Sequence, residues 1–403
     1  MTPSSGARAG AAPADVARRE SDGRRKLDYF QGLRGWAAAV VVVHHFVIAF
    51  YPGAIFDGSP RHSSLEQVFL RTPLGAFISG RPMVCLFFIL SGYVLSLPYF
   101  GPSARLRRDL WAAGIKRPVR LAGLVVAMML ASFLLARGGL YFDEAARVVT
   151  GTGPQPVFSL RWSSLLADLR NPFASSPTYD QSLWTITTEL IGSYLVFGLV
   201  LLAGRGRIRW WLYVIVGALL IRQSLYLGFI LGVLCAELSA RYPSFGRGRP
   251  WVVVALTLVG IYLAGYPRAL APQHFPSTIY AWLPSIPDID YYAVAGACCC
   301  FLAVLISPWW QRRFASALAV YLGRVSFALY AVHLLILRSL TSWLFLQLDG
   351  RLSYAAAFAI SLVASVPFLM LIAHLLTVWL DEPVVRAANA WARFWVDRWR
   401  RTA

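Results

Sequence analysis

Charged side chains are scarce in this sequence. Asp, Glu, Lys and Arg together make up 14% of the 403 residues, whereas hydrophobic residues make up 58%. A soluble globular domain carries about 25% charged residues. This shortage, together with apolar segments that recur from one end of the chain to the other, excludes a soluble globular protein and indicates a polytopic membrane protein.

Cysteine is also scarce. The five cysteines are Cys85, Cys235 and the run from Cys298 to Cys300, all in apolar segments, and none has a His, Asp or Glu at metal-ligand spacing. This pattern excludes a zinc site and a disulfide framework. The tripeptide "DID" at Asp288 to Asp290 resembles the motif of metal-dependent sugar transferases, but three residues in a predicted outer loop are a weak signal. We therefore predict that the protein needs no metal.

Acidic residues number 19, half of the 38 basic ones, which gives a formal net charge of +19. The arginines lie in short runs between apolar segments and not on one basic domain. This distribution is typical of the signal that orients a membrane protein, and we predict no nucleic-acid partner.

Ten apolar stretches predict an all-α, polytopic membrane protein with about ten transmembrane helices. The stretch 208–240 is ambiguous, because Arg222, Gln223 and Ser224 interrupt a run that forms either one long helix or two. The ten stretches cover residues 35–52, 83–100, 118–136, 184–203, 208–221, 224–240, 251–266, 290–307, 325–347 and 354–380.

The basic residues predict the orientation of these helices. If 208–240 forms two helices, both Arg-rich tails and most of the Arg-rich loops lie on one side, which the positive-inside rule makes cytoplasmic. One long helix would instead place the Arg-rich C-terminus outside. We predict a disordered basic cytoplasmic tail at 1–27, a membrane domain at 28–386 and a second basic cytoplasmic tail at 387–403.

Ionisable side chains inside a membrane are costly and are functional candidates by default. Arg34 and His45 are eleven residues apart, so on a helix they share nearly one face, separated by about 16 Å along the axis. His44 points about a quarter-turn away. The pattern places Arg34 at the cytoplasmic rim and His45 near the middle of the membrane.

Two further ionisable residues are expected at a similar depth. His333 lies in "SFALYAVHLLIL", eight residues into a span that enters from the cytoplasm, and Glu189 lies in "SLWTITTELIGSY", about one and a half turns below the outer face. Each alone is compatible with a hydrogen-bonded packing role. Their convergence with His45 favours a site, since a neutral imidazole can accept a hydroxyl proton near pH 7.

Arg117 and Arg120 lie three residues apart at the cytoplasmic end of the third span. They are either membrane anchors or a site for a phosphorylated cytosolic cofactor, because guanidinium forks match phosphate oxygens. Ser91, in "FFILSGYVL", lacks the Gly-x-Ser-x-Gly elbow of a nucleophile, and we interpret it as a helix-packing residue.

These segments together resemble the acyltransferase 3 family of integral membrane acyltransferases. The resemblance runs over about residues 27 to 385, with the motifs in family order, and one departure places Gly192 and Ser193 where many members have an aromatic pair. The matching segments are "LDYFQGLRGWAAAVVVVHHF", "FFILSGYVL", "KRPVRL", "LWTITTE" and "LGRVSFALYAVHLLI".

The resemblance implies an enzyme that moves an acyl group, most simply acetyl, from acyl-CoA to a hydroxylated acceptor. The acceptor would be a carbohydrate, a glycolipid or another small hydroxylated molecule, and the enzyme would be a multi-pass protein of the cell (inner or plasma) membrane in contact with its lipids. The family's catalytic histidine corresponds to His45 and its arginine to Arg34.

We therefore expect a catalytic group and a donor-binding group. His45 would act as general base, with Glu189 and His333 orienting it or the acceptor, while Arg34, Arg117 and Arg120 would hold the CoA phosphates. The alternative is a polytopic transporter in which buried His and Glu residues relay protons, although we find no internal repeat of the kind that many transporters show.

Overall fold

The computed structural model describes residues 13–100, 106–153, 160–173, 181–203, 208–242, 244, 248–284 and 290–402. Over these ranges the chain is helical, and its only extended pairings are two isolated β-bridges. The all-α prediction is confirmed. The helices are α1 (Pro13–Phe50), α2 (Leu65–Arg71), α3 (Gly80–Ser96), α4 (Leu106–Arg137), α5 (Asp143–Thr150), α6 (Trp162–Arg170), α7 (Trp184–Ala203), α8 (Ile208–Leu219), α9 (Ser224–Arg241), α10 (Pro250–Ala264), α11 (Asp290–Ile306), α12 (Pro308–Phe314), α13 (Ala317–Ile336), α14 (Ser342–Leu348), α15 (Tyr354–Leu376) and α16 (Glu382–Thr402).

Seven of the described helices are long and apolar enough to cross a membrane. An eighth span arises if α11 and α12, which meet at a bend of 99°, are counted as one. The apolar helices α8 and α10 have 12 and 15 residues, fewer than the 17 to 25 of a typical span. Each of the ten predicted stretches contains a helix, but the described residues give seven or eight candidate spans and not ten. The chain is a multi-pass membrane protein.

The ambiguous stretch 208–240 forms two helices. α8 ends at Leu219 and α9 begins at Ser224, and the turn between them is closed by the Gln223 N–H, which donates to the Leu220 carbonyl at 2.7 Å. This is the alternative for which the charge pattern puts both tails on the cytoplasmic side. α1 begins at Pro13, inside the segment that we predicted to be a tail. The division at residues 27 and 386 and the cytoplasmic placement of the termini stay predictions.

The predicted orientation has a direct test. Reporter fusions that are active on only one side of the membrane, placed after residue 160 and after residue 403, should report opposite sides. The physical reason is that the Arg-rich tail is retained in the cytoplasm, whereas the long loop after α4 follows an odd number of spans. Reports from the same side would contradict the assignment of either that loop or the C-terminus.

Helices α1 and α13 approach so closely that only glycine fits between them. A Cβ atom at Gly35 would lie 2.3 Å from the Gly323 nitrogen, and one at Gly323 would lie 2.0 Å from the Gln31 carbonyl oxygen. Small residues permit such close contact of membrane helices. His45 and His333 each lie ten residues beyond one of these glycines, and their side chains are in contact, so the two helices run parallel and carry the histidines to one level.

This close approach predicts the effect of a larger residue. Gly323→Val should lower the thermal stability of the purified protein and abolish most of its acyl transfer, because overpacking typically costs about 1 to 3 kcal/mol and here the clash is with backbone. The matched control is Gly198→Val, since no described residue lies within 4 Å of a Cβ at Gly198. Equal melting temperatures and activities for the two variants would show that the helix contact does not hold the histidines together.

Candidate functional site

Two cavities lie along α1, one on each side of its histidines. The first, which we call the arginine cavity, has about 970 Å³ of empty space including its mouth and lies among α1, α3, α4, α7 and α13. The second, the histidine cavity, has about 610 Å³ of empty space including its open mouth and is bounded by α1, α5 and the end of α13. The polar side chains that line the arginine cavity are Arg34, Ser91, Arg117, Arg120, Thr185, Glu189, Ser326 and Tyr330.

Arg117 and Glu189 form an ion pair in the wall of the arginine cavity. The Arg117 Nε–H donates to the Ser193 hydroxyl at 2.8 Å, and the Ser91 hydroxyl donates to Glu189 Oε1 at 2.8 Å. Arg117 is 9% exposed, so its charge is desolvated and its partners fix its orientation. The pair is a rigid part of the cavity wall.

The departure from the family pattern at residues 192 and 193 has a structural reason. A Cβ atom at Gly192 would lie 2.2 Å from the ring of Phe229, so α7 and α9 approach each other through a residue without a side chain. Ser193 is fully buried and binds Arg117. A bulky pair at these positions would not fit this packing.

Arg34 and Arg120 face the same cavity without such partners. Among the residues that the structure describes, neither guanidinium has a hydrogen bond or an ion pair, although Arg34 interacts electrostatically with Arg120, Arg117, Glu189 and Asp381 at longer range. Of the described residues, three arginines and one carboxylate line the cavity, so this wall carries an excess of positive charge. A group with several negative charges fits such a cavity.

His45 and His333 are in direct contact at the edge of the histidine cavity. His45 Nδ1 lies 2.9 Å from the Val41 carbonyl oxygen and 3.1 Å from His333 Nε2, and His333 Nδ1 lies 2.6 Å from the Tyr330 carbonyl oxygen. Because a carbonyl oxygen only accepts hydrogen bonds, each Nδ1 carries the proton. His45 Nε2 therefore has a lone pair, and no described residue donates to it.

This geometry leaves His45 one nitrogen with a free lone pair and gives its ring an orienting partner. The His45 Nδ1–H is directed at the Val41 oxygen and at His333 Nε2, which together fix the tautomer and the ring plane. His333 is 0% exposed, and its own Nδ1–H is held by the preceding turn of α13. The free nitrogen of His45 can take a proton from a group bound in the histidine cavity.

His44 has different surroundings. Its Nδ1–H donates to the Ile78 carbonyl at 2.9 Å, and its ring lies 2.6 Å from the position of a Cβ atom at Gly80. His44 thus connects α1 to the segment before α3. The two adjacent histidines lie on the different helix faces that their spacing from Arg34 predicts.

Tyr330 lies between the arginine cavity and the histidine pair. Its side chain lines the arginine cavity, and its hydroxyl donates to the Ser182 carbonyl at 2.8 Å and accepts from Thr185 at 2.8 Å. Its own carbonyl oxygen binds His333. Tyr330 therefore connects the lining of the positively charged cavity to His333, which in turn contacts His45.

The structure brings together most of the predicted site residues, in two groups. His45 and His333 form one, and Arg34, Arg117 and Arg120 form the other. Glu189, which we expected to orient His45 or the acceptor, lies in the arginine group, because its partners are Arg117 and Ser91.

Ser91 was interpreted from the sequence as a packing residue, yet its hydroxyl binds Glu189 and lines the arginine cavity. The sequence signal that could have identified it is its place in a family motif.

The structure gives no support to a metal site at "DID". Asp288 lies outside the described residues, and the Asp290 carboxylate binds Arg81 and, at 3.0 Å, Arg268. In the described part of the chain, no group of three or more His, Cys, Asp or Glu residues is placed to hold a metal ion.

Comparison with known proteins identifies the family. The family model described as "Acyltransferase domain" (Acyl_transf_3) matches residues 27–373. Similar proteins include acyltransferase clz18 of Cochliobolus lunatus, 25% identical over 90% of this chain and 95% of that protein, and the O-acetyltransferase PaAT-1 of Phomopsis amygdali, 27% identical over 88% and 82%. Acyltransferase R4 of a Phoma species is 25% identical over 79% of this chain and 84% of its own length.

No solved structure matches the chain at a significant level. The family match covers most of the sequence and includes residues of α1, α3, α4, α5, α7 and α13, which line the two cavities. The chain therefore belongs to the acyltransferase 3 family and is a multi-pass membrane enzyme that transfers acyl groups from an acyl donor.

Proposed function

We propose that this protein is an acyl-CoA-dependent O-acyltransferase that moves an acyl group, most simply acetyl, to a hydroxyl of a carbohydrate or another hydroxylated acceptor. The observation that carries the proposal is the arrangement of the two groups. His45, whose Nε2 is free, is linked through His333 and Tyr330 to a cavity whose described lining has three arginines and one carboxylate.

The arginine cavity fits the phosphates of CoA. CoA carries a pyrophosphate and a 3'-phosphate, and guanidinium groups bind phosphate oxygens through charge-assisted hydrogen bonds. Arg34 and Arg120 have free donors for these contacts, whereas Arg117 is held by Glu189 and Ser193 and supplies fixed charge. Glu189 then acts on the donor side, where it holds Arg117 in place.

The histidine pair alone can account for every proton transfer in the reaction. His45 Nε2 takes the proton from the acceptor hydroxyl as its oxygen attacks the thioester carbonyl, and the tetrahedral intermediate expels the CoA thiolate. The thiolate receives that proton from His45, so the products are the ester and free CoA. While His45 is positively charged, its Nδ1–H donates to Val41 and His333, which stabilises the imidazolium. General-base help of this kind is typically worth about 10²- to 10⁴-fold in rate.

The proposal assigns the arginine cavity to the cytoplasmic side of the cell (inner or plasma) membrane. Arg34 precedes the apolar part of α1 and Arg117 and Arg120 precede that of α4, next to the Arg-rich segments that the positive-inside rule places in the cytoplasm. Cytosolic acyl-CoA would reach the cavity from that side.

The test is donor turnover by the purified protein in lipid nanodiscs. With acetyl-CoA as donor and a small-molecule extract of the source cells as acceptor pool, free CoA thiol should appear in step with acetylated product. Uptake of a solute into proteoliposomes without release of CoA would instead establish the transporter alternative. Release of neither CoA nor product in the presence of the extract would contradict the proposal.

A further inference from the structure

The histidine cavity is also lined by a second polar group, formed by Asp143, Arg147 and Arg338. Asp143 begins α5, and Arg338 lies just after α13, so residues 195 positions apart in the sequence meet here. All three side chains line the cavity together with His45. The transfer chemistry described above does not use them.

A π-helical turn places Arg338 in this wall. Residues Leu337–Thr341 form the turn, and the Ser342 hydroxyl donates to the Leu337 carbonyl at 2.8 Å, so a carbonyl in the widened turn keeps a partner. The Phe142 N–H donates to the Arg338 carbonyl at 2.8 Å and fastens the start of α5 to the turn. π-helical turns are rare and occur frequently at functional sites.

Only one oxygen of the Asp143 carboxylate, Oδ2, interacts with the two arginines. Its Oδ2 accepts from the Arg338 Nε–H at 3.0 Å and lies 3.7 Å from Arg147 Nε. Its Oδ1 is buried and has no hydrogen-bond partner among the described residues, although the residue is 6% exposed and lines the cavity. A buried acceptor without a partner is costly, and a bound ligand that donates a hydrogen bond would remove the cost.

We propose that the histidine cavity is the acceptor site, in which Asp143 Oδ1 receives a hydrogen bond from a second hydroxyl of the acceptor while His45 Nε2 faces the hydroxyl that is acylated. This inference rests on the proposed function. A carboxylate oxygen only accepts, so the ligand must donate. The substrate class is then a molecule with at least two hydroxyl groups, and a monohydric alcohol lacks the second contact.

The arginines make the wall rigid and selective. The Arg338 guanidinium lies 4.3 Å from the centre of the Tyr141 ring, and Arg147 donates to the Gly153 carbonyl at 2.6 Å. Both thereby hold the carboxylate in one orientation. A site built to bind a hydroxyl discriminates strongly against an analogue that lacks it, because its polar group would stay unpaired.

The experiment compares variants of the protein and measures acceptor use and donor binding separately. The proteins are the parent, Asp143→Asn, Ala146→Leu and the control Glu144→Gln, each in nanodiscs. Asp143→Asn replaces the charged acceptor by a neutral one of equal size. Ala146→Leu fills the cavity without touching the ion pair, since Ala146 is buried and lines it. Glu144→Gln removes a neighbouring exposed charge.

Two quantities are measured: acetyl-CoA affinity by calorimetry, and the amount of source-cell extract that gives half-maximal transfer from labelled acetyl-CoA. Asp143→Asn should need at least about ten times more extract, which corresponds to one lost charge-assisted contact. Ala146→Leu should also need more extract, because its side chain occupies the space of the acceptor. Their acetyl-CoA affinity should equal that of the parent, and Glu144→Gln should behave as the parent in both assays. The product should keep at least one free hydroxyl that acetic anhydride can acetylate.

The outcomes separate this inference from the proposed function. If the parent neither binds acetyl-CoA nor transfers its acetyl group, the proposed function fails. If the parent transfers but both variants need no more extract than it does, or if the product has no free hydroxyl, the acceptor site is wrongly placed and the proposed function stands. If Asp143→Asn does not fold, Ala146→Leu decides, because its ion pair is intact.

Discussion

His45→Ala lowers the turnover of acyl transfer by about 10²- to 10⁴-fold, whereas His44→Ala keeps most of it. The expected loss is the usual contribution of a positioned general base. Only His45 contacts His333 and lines the histidine cavity, while the His44 ring binds the Ile78 carbonyl on another face of α1. The measurement is the rate of product formation at saturating acetyl-CoA.

Two controls make the comparison specific. Both variants should bind acetyl-CoA as tightly as the parent, because neither histidine lines the arginine cavity. His333→Ala should lose activity as well, but less than His45→Ala, since it removes the partner of the base and not the base itself. Equal losses for His44→Ala and His45→Ala would contradict the assignment of the base.

Arg120→Ala raises the KM for acyl-CoA by about ten- to a hundredfold and changes kcat much less. A charge-assisted hydrogen bond is worth about 1.5 to 3 kcal/mol, and about 1.4 kcal/mol is a factor of ten. A contact made equally in the ground and transition states affects KM before kcat. The control is Lys116→Ala, which removes a neighbouring positive charge that does not line the arginine cavity.

The phosphate that Arg120 contacts can be identified with a second donor. In kinetics with a CoA thioester that lacks the 3'-phosphate, the parent enzyme should prefer the complete donor. A variant in which the arginine that binds this phosphate is replaced by Ala should lose that preference. If Arg34→Ala, Arg117→Ala and Arg120→Ala all keep the full preference of the parent, none of these arginines binds the 3'-phosphate. If KM is also unchanged, they are membrane anchors.

Sequence reasoning identified the histidine pair because depth in the membrane follows from position along a helix. His45 and His333 lie at comparable distances into their spans, and the glycines that let α1 and α13 touch lie ten residues before each. The two parallel helices therefore carry the histidines to one level. What the sequence leaves open is which faces of the two helices meet.

The role of Glu189 was harder to predict, because it depends on how α7 is rotated about its axis. The rotation is set by packing of Gly192 against the Phe229 ring, a contact with another helix that no spacing within α7 reveals. In the resulting orientation the Glu189 carboxylate binds Arg117 and Ser91 instead of the histidines. Depth in the membrane predicts that Glu189 lies near His45, but the side chain can be placed only when the rotation of α7 is also known.

Arg338 was missed although a signal for it exists. It lies inside the predicted stretch 325–347, and the principle that marks ionisable residues within a span as functional candidates applies to it as it does to His333. Its partner Asp143 could not have been found in this way, since it lies outside the predicted spans, 195 residues away. Only the folded chain brings these two charges together.

The most direct test of the central claim is a structure of the protein with bound CoA, determined in nanodiscs. The account predicts that the phosphates lie against Arg34 and Arg120 in the arginine cavity and that the thiol end points past Tyr330 toward His45 Nε2. Phosphates bound instead at Arg147 and Arg338, or CoA bound with its thiol end far from His45, would contradict it.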